Sequence, residues 1–423
     1  MPSNVTNYQC PACTGPLHFE ERTGRLECEY CESSFSVAEI EALFARKTAQ
    51  AAPENTEWGA DAEHMRSYNC PSCGAELICE ETTAATACPY CGNPSVIPGR
   101  FGGTKRPDCI IPFKVGKEQA VESLKQHYKG KPFLPRAFAS ENHLREVKGI
   151  YVPFWLFDAK ADVQATFAAT RSHVHMTQDE RIVTTEHYEA VRSGTVAFQQ
   201  VPVNGASKMP DGHMDAVEPF EYAELKPFSM AYLPGFLADK YDVGMDQCAA
   251  RAEERCRNSA IAAMENTVQG YETCTVRHAD VRLSDRKAKY ALLPVWLLST
   301  RWKEKDYLFA INGQTGRFVG DLPISWGKFW AWFAGLFLVL TLVGSLFLDT
   351  EIALIAGAVL AGILCGGMAA TMKSARQQSH ANAYIPAEGV TLTQRHDRFL
   401  HRTVTRHRIR QADGPRRGPG GPR

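Results

Sequence analysis

Cys10-Pro-Ala-Cys13 and Cys28-Glu-Tyr-Cys31 stand near the start of the chain, and the arrangement returns sixty residues later as Cys70-Pro-Ser-Cys73 and Cys88-Pro-Tyr-Cys91. Both copies have fourteen residues between the first pair and the second. A Cys-x-x-Cys pair presents two thiolates from one tight turn, so two pairs can surround one ion with four sulfurs. The repeat therefore predicts two small modules of the same design.

The donor set of each module is the one that Zn²⁺ prefers, and a closed site of four thiolates leaves no position for a substrate. Gly74 and Gly92 follow the second cysteine of their pairs, whereas Thr14 and Glu32 stand there in the first module. Because a tight turn favours glycine, we expect the more regular site in the second module. Iron in the same cage and redox disulfides are the alternatives. The predicted ligands of the two structural zinc sites are Cys10, Cys13, Cys28 and Cys31, and then Cys70, Cys73, Cys88 and Cys91.

Composition and charge place the chain in a broad class. Of its 423 residues 44% are apolar and 22% charged, which is typical of a folded protein. Lys plus Arg (47) equals Asp plus Glu (47), so no overall positive charge would attract nucleic acid. The first residues, Met1-Pro2-Ser3-Asn4, do not resemble a secretory signal, so we expect a reducing compartment and metal-binding cysteines.

The cysteine modules themselves are acidic. Arg22 and Arg25 of the first module are outnumbered by five glutamates, and Arg100 of the second is outnumbered by three. A Zn²⁺ ion with four thiolates adds about two negative charges to each module. Since binding to nucleic acid depends mainly on neutralising phosphates, we expect these modules to contact proteins, and nucleic acid is not the expected partner.

Two long stretches near the C-terminus, 329–348 and 352–372, contain no charged residue. At about 1.5 Å per residue each would form a helix about 30 Å long, which matches the hydrocarbon core of a bilayer. They are therefore predicted as two transmembrane helices in a hairpin. Lys328 and Lys373 flank the pair, while the turn between them contains acids alone, so both termini of this multi-pass cell-membrane protein are predicted to be cytoplasmic.

Helix and strand patterns between the modules and the spans predict an α+β body. The fold class is therefore multidomain, with tandem zinc ribbons, an α+β body and a C-terminal transmembrane helical hairpin. The predicted segments are zinc ribbon 1 at 1–36, a short helix and acidic linker at 37–66, zinc ribbon 2 at 67–100, the cytoplasmic body at 101–325, the transmembrane helices at 329–348 and 352–372, and a basic cytoplasmic tail at 373–423.

The body contains a weaker internal repeat. Tyr-Val-Pro-Phe-Trp-Leu-Phe at 151–157 resembles Leu-Leu-Pro-Val-Trp-Leu-Leu at 292–298, and each stretch follows a predicted helix. We therefore predict two related half-domains, at about 112–205 and 228–323. The stretch Asn-Gly-Gln-Thr-Gly at 312–316 is predicted as a hairpin turn in which the glycines adopt positive φ.

Enzyme signatures are absent from the sequence, which has no Gly-x4-Gly-Lys-Ser/Thr phosphate loop, no Gly-x-Ser-x-Gly elbow and no His-Glu-x-x-His helix. An enzyme of another kind would have to use His173, His175 and His187, or His213 in a predicted loop. Two ligands on a strand without a third are more often solvated surface. We therefore predict no catalytic residue and no small-molecule substrate.

The tail at 373–423 is basic, with eleven Lys or Arg and three Asp or Glu, a net charge of +8. Its arginines are interleaved with apolar residues such as Phe399 and Val404. One interpretation is attraction to anionic lipid headgroups at about 1 kcal/mol for each arginine. The second is an amphipathic strand docked on the body, and nucleic-acid binding is a third.

The paired ribbons, the repeated stretches at 151–157 and 292–298, the turn at 312–316 and the terminal hairpin together resemble a bacterial family. These are the transcription-factor-B-type zinc-ribbon membrane proteins, often labelled primosomal protein N-prime-like. The resemblance covers nearly the full chain and implies the eight cysteine ligands but no catalytic residue. It also implies phage-shock-type or flotillin-like membrane proteins as partners.

One functional hypothesis and one rival follow. We expect a zinc-binding integral membrane protein that is not an enzyme, and that acts as a cytoplasm-facing adaptor or scaffold recruiting proteins to the membrane, with membrane lipids as its other partner. The rival is a membrane-tethered nucleic-acid or transcription-linked zinc-ribbon factor, whose binding would weaken with salt.

Overall fold

A computed structural model of the protein describes residues 10–13, 15, 17–48, 65–70, 74–80, 88–90, 97–99, 105–135, 138, 147–177, 180–303, 305–373 and 377–408. Their helices are α1 (Val37–Thr48), α2 (Lys117–Tyr128), α3 (Asp211–Val217), α4 (Met245–Glu265), α5 (Trp326–Gly344) and α6 (Thr350–Ala370). Their strands are β1 (Leu17–Glu20), β2 (Arg25–Cys28), β3 (Ser34–Phe35), β4 (Met65–Asn69), β5 (Glu76–Glu80), β6 (Ile97–Gly99), β7 (Cys109–Ile110), β8 (Lys148–Met176), β9 (Glu180–Asn204), β10 (Lys226–Pro227), β11 (Leu237–Asp239), β12 (Thr273–Trp302), β13 (Lys305–Asn312), β14 (Phe318–Gly320) and β15 (Val390–Arg408).

The chain divides into two compact units, and an α+β arrangement is present as expected. Unit 1 comprises Met1–Leu156, Pro202–Arg251 and Ala288–Gln378. Unit 2 comprises Phe157–Val201, Ala252–Lys287 and Ser379–Arg423. The chain therefore crosses between the units several times, and β8, β12 and α4 each contribute residues to both.

The core of unit 1 is a mixed sheet with the strand order β10-β7-β12-β8-β11-β5-β4-β6. Residues 150–157 of β8 and 290–298 of β12 are buried without alternation. Continuous burial is the pattern of a strand that is covered on both faces. β5 pairs antiparallel with β11, with Ile78 opposite Ala238. The strands of the predicted second ribbon therefore belong to the sheet of the body.

The two repeated stretches make matching hydrogen bonds in unit 1. Trp155 Nε1 donates to Val243 O at 3.0 Å, and Trp296 Nε1 donates to Val115 O at 2.7 Å. Each acceptor lies two residues before a helix, α4 and α2 respectively. β11 pairs parallel with β8, and β7 pairs parallel with β12, so each repeated stretch has a short parallel strand from the other part of the body as its neighbour. These matched contacts support the predicted duplication, which itself stays a prediction.

The turn after β13 uses its two glycines differently from the expectation. Gly316 has φ +75° as predicted, but Gly313 does not have positive φ among the described residues. A Cβ on Gly313 would lie 2.6 Å from the Phe113 ring and 2.8 Å from Pro294. Gly313 is therefore required by the close approach of its neighbours rather than by its backbone angles.

Asn312, buried at the end of β13, satisfies four backbone groups. Its Nδ2 donates to Val217 O at 3.0 Å and Pro219 O at 3.2 Å, and its Oδ1 accepts from the amides of Gln314 and Thr315, both at 2.9 Å. We expect Asn312→Ala to lower the free energy of unfolding by about 3 kcal/mol, because buried backbone groups lose their partners.

Denaturant unfolding of the detergent-solubilised chain measures this loss. Asn69→Ala is the matched control, because Asn69 is exposed on β4 and its truncation is expected to change stability by less than about 0.5 kcal/mol. Equal stability of the two variants would contradict the assignment of Asn312 as a structural anchor.

In unit 2, β8, β9, β12 and β15 form long neighbouring strands, with β8 between β12 and β9, and β15 on β9. The last part of α4 lies against them. Arg257 Nη1 donates to Val281 O at 2.8 Å, and a Cβ on Gly194 would lie 3.1 Å from Met264 Cε. The buried side chains Ala161, Val163, Ala165 and Phe167 alternate along β8, which is the pattern of a strand covered on one face.

Residues 390–408 of the basic tail form β15, in agreement with the docked-strand interpretation. Residues 409–423 lie outside the described residues. β15 pairs antiparallel with β9 from Val390 opposite Val196 to Arg408 opposite Glu180. Arg398 Nη2 lies 2.9 Å from Glu189 Oε1, and Arg402 Nη2 lies 3.2 Å from Glu186 Oε1.

α5 and α6 are long and apolar enough to cross a membrane. They begin and end a few residues earlier than predicted. A stripe of residues spaced four apart along α6 is buried against α5. The helices lie close together here, because a Cβ on Gly357 would lie 2.5 Å from Thr341 Oγ1. The ends of the hairpin meet, because Leu322 N–H donates to Met372 O at 2.8 Å. The chain therefore enters and leaves the hairpin at one place.

Candidate metal centre

The first two cysteine pairs are carried by a three-stranded antiparallel sheet, β1-β2-β3. Side chains along β1 and β2 alternate between buried and partly exposed, and Leu17, Phe19 and Leu26 are the buried ones. A capping box then begins α1: Ser36 N–H donates to Glu39 Oε2 at 2.7 Å, and Glu39 N–H donates to Ser36 Oγ at 3.2 Å. This local order brings Cys28 and Cys31 back to Cys10 and Cys13.

The four sulfurs of this module form one group. Cys10 Sγ lies 3.4 Å from Cys31 Sγ, Cys13 Sγ lies 3.4 Å from Cys28 Sγ, and all four lie within 4.8 Å of one another. Thiolates bound at about 2.3 Å around one tetrahedral ion are about 3.8 Å apart. Hydrogen bonds with the side chain and backbone of Ser33 lower the pKa of Cys31 to about 6, whereas, against a hydrogen bond from the backbone of Gly15, the thiols of Cys31 and Cys28 raise the pKa of Cys13 to about 12. The group could therefore hold a metal ion.

Where the structure describes the Cys-x-x-Cys turns, three of them have the same backbone hydrogen bond, from the first cysteine to the carbonyl five residues later. The bonds are Cys10 N to Gly15 O at 2.8 Å, Cys28 N to Ser33 O at 3.0 Å and Cys70 N to Ala75 O at 2.9 Å. Glu32 has φ +58° and Gly74 has φ +70°. Glu32 therefore adopts the left-handed conformation expected of glycine, at a cost of about 1 kcal/mol, and the turn of the first module still forms.

Only part of the second predicted site can be located. Cys70 and Cys88 are buried in the core cluster of unit 1 together with Tyr68 and Leu77. Cys73, Cys91 and Gly92 lie outside the described residues. The turn at Cys70 matches those of the first module, and the four-cysteine site itself stays a prediction.

Tyr90, two residues after Cys88, donates a hydrogen bond to the carboxylate of Asp239 on β11. Asp239 is 3% exposed. Burial, reinforced by the charges of Asp242 and Glu76, raises the pKa of Asp239 to about 7, although hydrogen bonds from Tyr90 and the Lys240 amide oppose this shift. The carboxyl group is therefore largely protonated in the folded protein below neutral pH.

We expect this carboxyl to make unit 1 less stable as the pH rises from about 4 to about 7. The folded state holds the proton over that window and the unfolded state, with a pKa near 3.9, does not, so up to about 4 kcal/mol is lost by pH 8. Asp239→Asn should remove this dependence. Denaturant unfolding of both proteins at pH 5 and pH 8 measures the change. An equal change in the free energy of unfolding between the two pH values in wild type and in Asp239→Asn would contradict the assigned pKa.

The first module docks on the rest of unit 1 through one face and leaves its cysteine turn outside. The ring of Phe19 packs edge-on against Tyr232 at 5.5 Å between centroids. Tyr30, inside the second Cys-x-x-Cys pair, has a side chain that is 76% exposed, and Glu29 and Glu32 beside it are exposed as well. The cysteine turn therefore presents an aromatic ring among carboxylates.

The histidines singled out in the sequence do not form a metal group among the described residues. His173 and His175 are exposed near the end of β8, and the ring of His187 on β9 stacks on His401 at 4.4 Å. His213 lies in α3, so the predicted loop there is wrong: a short helix begins after Pro210.

The sequence reasoning missed a second group, formed by His18, Glu20 and Glu27 on β1 and β2. Alternation along a strand places His18 and Glu20 on one face, but Glu27 joins them only through the register of β1 with β2.

Comparison with known proteins gives a relative that aligns with most of the chain. No protein-family model and no solved structure matches the chain. The chain is 34% identical over 345 residues to "Uncharacterized protein YdjG" of Bacillus subtilis (strain 168), which covers 80% of this chain and 97% of YdjG. The chain belongs to the YdjG family. Since nearly all of YdjG is aligned, the relationship to YdjG extends far beyond the cysteine repeat. It does not bear on the resemblance to zinc-ribbon membrane proteins.

Proposed function

We propose that this protein is a zinc-binding integral membrane protein that acts as a non-enzymatic adaptor, facing the cytoplasm and recruiting other proteins to the membrane. The observation that carries the proposal is Tyr30, an exposed aromatic side chain at the turn that contributes Cys28 and Cys31 to the four-thiol group.

Zinc is the metal that this donor set supports best. Four cysteine sulfurs within 4.8 Å of one another suit a tetrahedral ion with soft ligands. Cys10, Cys13, Cys28 and Cys31 would hold it, and Cys70, Cys73, Cys88 and Cys91 are proposed for a second ion. An ion with four protein ligands supplies structural stability rather than a reactive position, which agrees with a role outside catalysis.

The proposed orientation in the membrane is supported by contacts at the base of the hairpin, where α5 begins and α6 ends. Lys131 Nζ donates to Thr371 O at 2.7 Å, and Lys328 Nζ donates to Leu134 O. These lysines and Lys373 lie at the base, while Asp349 and Glu351 lie at the tip. An excess of lysine marks the cytoplasmic side, so we place unit 1 and both termini there.

Protein partners are supported by the chemistry around Tyr30. Tyrosine contributes a large amphipathic surface at low entropic cost, and it is enriched at the centres of interfaces. Glu29 and Glu32 beside it would repel phosphate and favour a basic partner surface. Phage-shock-type and flotillin-like membrane proteins are the proposed partner classes, on the family resemblance alone.

A photo-crosslinking amino acid at position 30 tests the adaptor function. Crosslinking in the protein's own membranes is expected to capture specific proteins, and Cys10→Ser in the same chain, at matched abundance, should abolish the capture. Leu43, which is 41% exposed on α1, is the matched control position and should capture none of them. Identical products from positions 30 and 43, or none, would contradict the proposal.

Exposed arginines on β15 favour a second candidate, a membrane-tethered factor that binds nucleic acid. Arg398 and Arg402, however, each face a glutamate of β9, which reduces the charge available for phosphates. Binding of the solubilised chain to DNA or RNA should then be detectable at low salt and should weaken steeply as salt rises. No binding at low salt would eliminate this candidate.

A further inference from the structure

A second set of metal-binding side chains lies on the hairpin of the first module, apart from the cysteines. His18 and Glu20 are two residues apart on β1, and Glu27 of β2 is the residue directly opposite His18. One ligand atom from each of the three lies within 4.8 Å of the others. All three side chains are partly exposed, so a cation can reach them from solvent.

Neighbouring residues orient both carboxylates. Arg22 Nε donates to Glu20 Oε1 at 3.0 Å, and Thr23 Oγ1 donates to Glu27 Oε1 at 3.1 Å. Each bond engages one oxygen of its carboxylate, so the second oxygen can act as a ligand. Hydrogen bonds to ligating carboxylates are a usual feature of metal sites, because they fix the orientation of the ligand.

His18 and Glu20 also line a cleft of about 730 Å³ within unit 1. The cleft is also lined by the start of α2, with Glu118, and by Trp296. Glu21 lines the same cleft beside Glu20. A cation held here would therefore lie among several carboxylates.

We propose that His18, Glu20 and Glu27 bind a divalent transition-metal cation that is separate from the four-thiol group and has coordination positions open toward the cleft. One imidazole and two carboxylates suit Mn²⁺, Fe²⁺ or Zn²⁺ rather than a soft ion such as Cu⁺. Three protein ligands leave positions for water or an anionic ligand, unlike four thiolates. This site goes beyond the adaptor function and does not depend on it.

Mn²⁺ is the probe that separates the two sites, because manganese binds oxygen and imidazole ligands and has low affinity for thiolates. The full chain, solubilised in detergent with its cysteine-bound metal in place, is first dialysed against a weak chelator. Mn²⁺ is then titrated, and the free ion is followed by electron paramagnetic resonance. We expect one saturable Mn²⁺ per chain.

Single variants locate the bound ion. His18→Ala and Glu27→Gln should each weaken Mn²⁺ binding at least tenfold while the zinc content stays unchanged, and His175→Ala, in unit 2, should bind Mn²⁺ like wild type. If His18→Ala loses zinc because the hairpin fails to fold, the isosteric Glu27→Gln decides. Absence of saturable Mn²⁺ binding in wild type, or unchanged binding in a zinc-loaded Glu27→Gln, overturns the proposal.

Discussion

Cys10→Ser is expected to remove one zinc ion per chain and to unfold the segment from Cys10 to about Phe35. The module has a small core, formed mainly by Leu17, Phe19 and Leu26. Binding of a structural zinc ion contributes an apparent 10 to 16 kcal/mol, roughly, at pH 7, which is more than such a core can replace. Elemental analysis of the purified chain gives the zinc content.

Limited proteolysis shows whether the module has also unfolded. Arg22 and Arg25 lie at or beside the turn between β1 and β2, and trypsin should cleave there faster in the Cys10→Ser variant. Cys274→Ser is the matched control, because Cys274 lies on β12 outside the paired cysteines. Zinc content equal to wild type in Cys10→Ser would show that these four sulfurs do not hold the ion.

Excision of residues 324–370, with a short Gly/Ser linker in their place, is expected to move the protein from the membrane to the soluble fraction. Each helix contributes about 5 kcal/mol of insertion free energy if some ten strongly apolar residues count 0.3 to 0.6 kcal/mol each. The body should tolerate the excision, because the hydrogen bond from Leu322 to Met372 already joins the two ends.

Membrane flotation of the excised protein, beside wild type, measures the change. A chain truncated after residue 408 is the control, since it keeps the hairpin and should float with the membranes. An excised protein that still floats at high salt would mean that another part of the chain holds the membrane. The excision also removes the contact between Phe133 and Phe329, whose rings lie 5.3 Å apart.

The features that could be predicted from the sequence are those set by local spacing. The group of Cys10, Cys13, Cys28 and Cys31 depends on two tight turns and one hairpin, all within 22 residues. The helices α5 and α6 depend on the length of two apolar stretches. Gly130 and Gly270, which lie after the ends of α2 and α4, both have positive φ, a conformation that glycine adopts readily.

The remaining features depend on partners distant in the sequence. β5 joins the body because Ile78 lies opposite Ala238, and nothing near Ile78 indicates that pairing. The alternation along β8 shows which face is covered, but it does not show that α4 lies against this sheet. The set of His18, Glu20 and Glu27 does not follow from the sequence, because the sequence alone does not give the hairpin register that places Glu27 opposite His18.

The pairing of β15 with β9 has a consequence for the order of synthesis. β9 ends at Asn204 and β15 begins at Val390, with both apolar helices between them. At about 5 to 20 residues per second, β9 leaves the ribosome some 10 to 40 s before its last neighbour does. Its outer edge therefore stays open while the hairpin is being delivered to the bilayer. The sheet of unit 2 therefore gains its last strand, β15, only after both apolar helices have been translated.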